Sequence, residues 1–372
     1  MRFLVYNADY KSFMNSVYLH HPELASRSFK EQLDYRYSSL FGYSDAYSYH
    51  LKQLGHEAID LYVNHRFLQQ QWAREHGIRF RSETRINLPL IKRLPFIRSN
   101  WFKKILLAQV EWYKPHIFYT MAMDGVGGRL MSEIKKNYHC RIVGQHAATF
   151  PKSMDHLSAY DLVFSSLPNQ VEHFRKMGVR SEYLPLLFDE RVLTRISRDD
   201  HSRYDVVHVG GYGPIHTERN RILEEISAKI PVSCWGYGTN HLSAHSPILQ
   251  HYQGEAWGID RFNIIANSKI TITKHITSVA NGYANNMTLF EATGCGSMLL
   301  CDEKRNIGEL FEPGKEIITY KNADDAVDKI HYYLNHEDER AQIAKAGQAR
   351  TLRDHNGTVR MRQMLEKIQY LI

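Results

Sequence analysis

Short apolar runs alternate with stretches of helical periodicity along the chain, and this alternation leaves few folds open. Arg2–Tyr6 reads as a strand, Tyr35–Leu54 as a helix ended by Gly55, and His56–Val63 as the next strand. His116–Thr120, Arg141–His146, Asp161–Ser166 and Ser181–Pro185 continue the strands, with helices over Gly125–Lys136 and Pro168–Met177. Strand, helix and strand in that order, with Gly or Asn punctuation, predict parallel sheets joined by crossover helices. The series restarts at Asp205–Val209 and runs through a helix over His216–Ile230 and a strand at Pro231–Trp235. It continues with a helix over Asp260–Ser268 and strands at Lys269–Thr273, 297–301 and Glu316–Tyr320. Three helices close the chain, around 323–335, 337–352 and 357–370.

A chain of 372 residues exceeds what one hydrophobic core usually serves. Two α/β domains are therefore expected, over 1–188 and 204–356, with Leu186–Arg203 as the linker and 357–372 as a final helix. Hydrophobic residues make up 43% and charged residues 23%, an ordinary globular balance. The net charge of +7 favours a polyanionic partner: a nucleotide, a membrane surface or a nucleic acid. Cys140, Cys234, Cys295 and Cys301 form neither a C-x-x-C pair nor a zinc-finger spacing, so buried thiols are expected. The N-terminus is already a strand and no long apolar run occurs, which makes the cytoplasm the expected compartment.

Residues 64–105 stand apart. They interleave Arg66, Arg74, Arg79, Arg81, Arg85, Lys92, Arg93, Arg98, Lys103 and Lys104 with Leu88, Leu90, Ile91, Leu94, Phe96, Ile97, Trp101 and Phe102. One reading is a solvated surface with snorkelling side chains. The other is an amphipathic patch in peripheral contact with an anionic membrane. No nucleic-acid motif accompanies the charge, so nucleic acid is not an expected partner.

Chemistry concentrates in the second half. Gly210, Gly211, Tyr212 and Gly213 follow a strand and precede a helix, where glycines let a ligand approach the backbone and the helix N-terminus favours phosphate. Their spacing is not G-x-G-x-x-G, and a tight strand–helix turn explains them equally well. Arg219 and Arg221 in the following helix either neutralise a diphosphate or are surface charges. Lys274 and His275 stand at a strand end, as do His146 and the Asp124 loop in the first half, where open α/β sheets bind ligands. In the stretch Asn281–Gly296, Asn285 or Asn286 caps a short helix and Gly294 ends it. Met287 and Phe290 share one face, Thr288 and Glu291 another. Glu291 is either a solvated rim carboxylate or the acceptor for a sugar hydroxyl. No G-x-S-x-G elbow, H-E-x-x-H helix or Walker loop is present, which argues against serine hydrolases, zincins and P-loop enzymes.

The order of Val206–Asn220, Trp235-Gly-Tyr-Gly238, Gly258–Asn267, Asn285–Gly296, Phe311–Glu316 and Ala346–Arg353 resembles the CgeB-like (spore-maturation-protein) glycosyltransferases of the GT-B fold. The resemblance covers 200–360 well and 1–190 loosely. It implies two Rossmann-like domains across a cleft, a nucleotide-sugar on the second, an acceptor on the first and a last helix crossing back. It implies no dinucleotide or metal cofactor. Gly210, Gly211, Tyr212, Gly213, Arg219, Trp235, Gly236, Tyr237, Lys274, His275, Asn286, Thr288 and Glu291 would bind the donor, with Glu291 on the ribose. His146 and Asp124 would be the catalytic candidates. Two positions depart from the related patterns: Tyr283 where a Glu-x7-Glu motif has its first Glu, and Thr288 where the CgeB-like pattern has Arg.

The function expected is transfer of a sugar from a nucleotide diphosphate to a glycan, glycolipid or small-metabolite acceptor. The alternatives are an epimerase or phosphorylase of the same fold, or a noncatalytic nucleotide-sugar-binding partner in surface-glycan assembly.

Overall fold

The computed structural model describes residues 1–80, 101–123, 128–148, 157–199 and 203–371. Among them stand eleven strands: β1 (Arg2–Asn7), β2 (Glu57–Tyr62), β3 (Ile117–Thr120), β4 (Arg141–Gln145), β5 (Leu162–Ser165), β6 (Ser181–Tyr183), β7 (Tyr204–Val209), β8 (Ser233–Trp235), β9 (Ser268–Thr273), β10 (Met298–Asp302) and β11 (Ile318–Tyr320). They form a six-stranded sheet in the order β2-β1-β3-β4-β5-β6 and a five-stranded sheet in the order β11-β10-β9-β7-β8. Every pairing is parallel. A parallel sheet carries helices on both faces, so its strands are buried throughout. Accordingly β3 and β10 have no exposed residue.

Both sheets reverse strand order once, between β1 and β3 and between β7 and β9. Ligands of open α/β sheets bind beyond the strand ends at such a reversal. The two reversals face each other, because residues just past β1 and β7 line one cavity.

The helix at the centre of the sequence argument spans Met287–Gly294. Asn286 caps it, its Oδ1 accepting from the Thr288 N–H at 2.9 Å. Gly294 is its last residue but not a left-handed stop. The left-handed glycine is Gly296, at φ 78°, and Gly294 lies inside the last turn. There a Cβ would stand 2.6 Å from the Phe188 ring. Phe188 brings the linker against this helix, so the linker is partly core: Phe188 and Val192 are both buried.

Two further expectations change. The helix expected over Tyr35–Leu54 is two, Phe29–Ser38 and Ala46–Gln53. Leu40, Gly42 and Ser44 between them adopt positive φ, which breaks helical hydrogen bonding. An additional helix, Lys11–His20, follows β1. The last helix, Gly357–Ile368, buries Met361, Met364 and Ile368 in the core under the first sheet. It thus packs on the first domain after the chain has left the second.

Of the basic stretch, 81–100 lies outside the described residues. On its flanks, Leu68 and Trp72 of the Arg66–Glu75 helix and Ile105 and Leu106 of the Trp101–Tyr113 helix are buried in the first-domain core. Lys103 pairs with Glu133 at 2.6 Å. Among the described residues no helix is long and apolar enough to cross a membrane.

Candidate functional site

A cavity of about 500 Å³ lies between the two domains. Asn7, Asp9, Tyr10, Arg36, Phe41 and Tyr43 contribute its first-domain wall. Gly210, Gly211, His216, Arg219, Gly236, Tyr237, Trp257, Arg261, Asn286, Thr288 and Glu291 contribute the other.

The second wall is built by close backbone approach. Gly236 has φ 140°, and a Cβ there would meet the Gly210 carbonyl oxygen at 1.6 Å; a Cβ on Gly211 would meet the Tyr237 ring at 2.5 Å. Only glycine lets the ends of β7 and β8 run this near each other. The hydrogen bonds Gly210 N–H to Trp235 O (2.9 Å) and Tyr212 N–H to Tyr237 O (2.8 Å) fix the two loops together. Tyr237 then stacks on Trp257, with centroids 5.3 Å apart and planes 18° apart. Tyr10 from the first domain approaches the same ring at 5.9 Å.

Two guanidinium groups and two histidines surround the glycine loop. Arg219 is buried, donates through Nη2 to the Gly211 carbonyl, and leaves its Nε without a hydrogen-bond partner. No described carboxylate forms an ion pair with it. Burial brings its pKa down to about 10, and neighbouring Arg261 contributes in the same direction. His216, also on the wall, is held down to about 3 by burial and then by Arg219. Buried His208, beneath the loop, is held well below its ordinary range by the same two causes. A buried guanidinium without a counter-charge is costly. An anion in the cavity would supply that charge.

The second guanidinium fills the place that Thr288 leaves open. Arg261, from the Ile259–Ala266 helix, donates to Glu291 Oε2 through Nε (3.0 Å) and Nη2 (2.5 Å), to Thr288 Oγ1 through Nη2 (3.0 Å) and to the Val209 carbonyl through Nη1 (2.5 Å). An arginine therefore does stand at this point, delivered by a different helix. Both Thr288 and Glu291 are buried beside it, and Glu291 is a wall residue rather than a solvated rim carboxylate. Asn286 completes the corner, its Nδ2 donating to Thr273 Oγ1 at 2.9 Å while its Oδ1 caps the helix.

The first-domain wall carries one guanidinium as well, but a neutralised one. Arg36 donates through Nε and Nη2 to the two carboxylate oxygens of Asp9, at 2.8 and 2.6 Å, and both are buried. Its guanidinium lies 4.3 Å from the Tyr62 ring centre and 5.0 Å from that of Phe13.

Of the residues singled out from sequence, Gly210, Gly211, Arg219, Gly236, Tyr237, Asn286, Thr288 and Glu291 meet at the cavity. Tyr212, Gly213 and Trp235 support the loops from behind; Tyr212 is fully buried and Trp235 packs in the second-domain core. Lys274 and His275 turn away from the cavity toward the end of β10. There Asp302 accepts from the His275 backbone N–H (2.8 Å), contacts its Nδ1 (2.6 Å) and pairs with Lys304 (2.6 Å) and Lys274 (3.5 Å). Burial pushes the Asp302 carboxyl up, but His275 and Lys304 prevail and hold it well below the carboxylate range. His146 is also off the wall, although Gln145 and Ala147 beside it are on it. Its Nδ1 meets Gln170 Oε1 at 3.1 Å and its ring packs edge-on to Phe174. Alternation along an extended segment sends its side chain to the opposite side from its neighbours. Asp124 lies outside the described residues.

Sequence reasoning did not single out Arg261, His216, Trp257, Asp9 or Arg36. Arg261 falls three residues after Gly258, inside a segment that carried the family resemblance, so its signal was present there. Asp9 and Arg36 are 27 residues apart, and only the fold pairs them.

Residues 219–366 match the glycosyl transferase-like family. A comparison with curated protein sequences returned no match. Among solved structures, the chain is similar to Anabaena Alr3699/HepE in complex with UDP-glucose, at 13% identity and TM-score 0.61 over 100% of both chains. It is similar to a glycosyltransferase from Rickettsia africae, at 12% identity and TM-score 0.62 over 99% of this chain and 98% of that one. It is also similar to sucrose-phosphate synthase from Thermosynechococcus elongatus, at 11% identity and TM-score 0.54 over 73% and 77%. With its two parallel-sheet α/β domains, the chain has the GT-B fold.

Proposed function

We propose that the protein is a glycosyltransferase that takes a sugar from a nucleoside diphosphate bound on the second-domain wall. The observation that carries this reading is the buried, uncompensated guanidinium of Arg219, beside Arg261 and the capped helix start at Asn286. A diphosphate supplies the missing charge, and stabilising charge on the departing diphosphate is what glycosyl transfer demands of its protein. The glycosyl transferase-like match over 219–366 and the UDP-glucose bound by the Anabaena protein of the same fold support the donor class.

In this reading Glu291 accepts from the ribose hydroxyls while Arg261 holds it in place. Gly210, Gly211 and the Met287–Gly294 helix start receive the phosphates, and the Tyr237–Trp257 stack borders the cavity as an aromatic surface. Asp9, fixed by Arg36, offers acceptor lone pairs to a hydroxyl of the acceptor on the opposite wall. The buried setting of His146 argues for a role in shaping the wall rather than in proton transfer. The acceptor is a glycan, a glycolipid or a small metabolite. The basic stretch 64–105 favours one at the inner membrane face, and the CgeB-like branch remains the preferred relation. No metal need enter the transfer, because arginines and a helix terminus meet the phosphate charge.

The test is incubation with a panel of nucleotide sugars, reading release of the nucleoside diphosphate. Turnover, even slow hydrolysis, is expected with at least one donor and should fall at least tenfold in Glu291→Gln. Tight nucleotide binding with no turnover of any donor–acceptor pair would instead make the protein a noncatalytic binder. Full donor affinity in Glu291→Ala would remove the ribose assignment.

A further inference from the structure

Behind the cavity, where the linker, the first domain and the last helix meet, lies a second cluster. His50 of the Ala46–Gln53 helix points its Nε2 at Asp189 Oδ1 (3.7 Å) and Glu190 Oε2 (3.6 Å) of the linker. These separations are too long for hydrogen bonds, and this fully buried nitrogen has no hydrogen-bond partner although its residue is only 2% exposed. They sit close to the spacing between ligand atoms around a tetrahedral ion with bonds of about 2.1 Å, which is about 3.4 Å. We propose that His50, Asp189 and Glu190 form a site for a divalent cation of the zinc class, which fastens the linker to the first domain.

Further observations beyond the spacing support it. The other ring nitrogen, His50 Nδ1, is engaged by Thr358 Oγ1 at 3.0 Å, which fixes the ring and leaves Nε2 as the ligand atom. The carboxylates are likewise held from behind: Asp189 by Arg191, and Glu190 by the Gly357 N–H at 3.0 Å. Charge points the same way, since Arg191 pairs with Asp45 as well as Asp189. With Glu190 there are three carboxylates against one guanidinium, leaving two negative charges for a divalent ion to balance. Gly357 packs directly on the ring: a Cβ there would stand 2.1 Å from Nε2, so glycine is what leaves the imidazole its place. The Glu190 side chain is 35% exposed and provides the route from solvent.

The experiment uses the full, untagged chain, freed of metal by a chelator and titrated with Zn²⁺ against a chromophoric competitor. One ion per chain is expected to bind, raising the melting temperature, with Co²⁺ giving the visible bands of a tetrahedral site. His50→Gln and Glu190→Gln should each weaken binding at least tenfold. Thr358→Val should weaken it about tenfold by freeing Nδ1. Glu190→Gln keeps the test open if the buried His50 variant fails to fold. Absence of stoichiometric uptake by the wild type, or uptake that neither ligand variant changes, would overturn the site.

Discussion

The two walls of the cavity use arginine in opposite ways. On the first domain, Arg36 is buried against Asp9, and the pair is neutral. On the second, Arg219 and Arg261 face a single carboxylate among the described residues, Glu291, so the described wall keeps a positive charge. Under the proposed function the charged wall would receive the polyanionic leaving group, and the neutral wall would face the acceptor. In that reading the guanidinium groups differ in meaning: Arg36 holds the fold together, whereas Arg219 would be matched by a ligand.

The largest effect should come from the first wall. Arg36→Met leaves Asp9 buried without its partner and should cost about 3–5 kcal/mol of stability by chemical denaturation. A loss under about 1 kcal/mol would mean that the pair is not the neutral strut described. Next comes Arg261→Met, which removes the charge beside Thr288 and releases Glu291. It should weaken UDP binding by about 2–3 kcal/mol, or roughly 30- to 150-fold, by calorimetry. An unchanged affinity would remove Arg261 from the phosphate site.

The smallest effect concerns protons. In the empty site, burial and Arg219 hold His216 down to about 3, so it is neutral at pH 6. A bound diphosphate raises that value, so binding takes up protons and affinity rises as pH falls below the ordinary histidine value of about 6.5. Binding enthalpies at pH 6 in buffers of different ionisation heat should report the uptake, and His216→Gln should abolish it. The free protein has the reverse dependence. Its depressed His216 contributes stability above about pH 6.5 that is lost as pH falls toward 3.

The fold was largely legible because buried parallel strands leave apolar runs and crossover helices leave periodic ones. The helix over Tyr35–Leu54 was misread because Leu40 and Ser44 adopt left-handed backbone without being glycine. Gly294 looked like a helix stop, but its lack of a side chain serves Phe188, which is distant in sequence. The glycine loop and Glu291 were legible because their chemistry is local. Arg261 was obscured by a comparison of single positions: an arginine absent at 288 reads as a missing charge, although a guanidinium reaches the same point from 27 residues earlier. Lys274 and His275 occupy the expected strand end, but His275 serves Asp302 on the neighbouring strand and Lys274 pairs with Glu218 at 3.0 Å as well as with Asp302, partners that only the fold reveals.

The central claim is that Arg219 is buried for a ligand and not for the fold. The most direct measurement compares wild type and Arg219→Met in one experiment, thermal unfolding with and without saturating UDP. The variant alone should be as stable as the wild type or more so, while the stabilisation by UDP should shrink, with affinity about 10- to 100-fold weaker. A variant that unfolds several degrees earlier yet keeps the full UDP shift would contradict the account, making Arg219 a structural residue and leaving the charge of this wall unexplained.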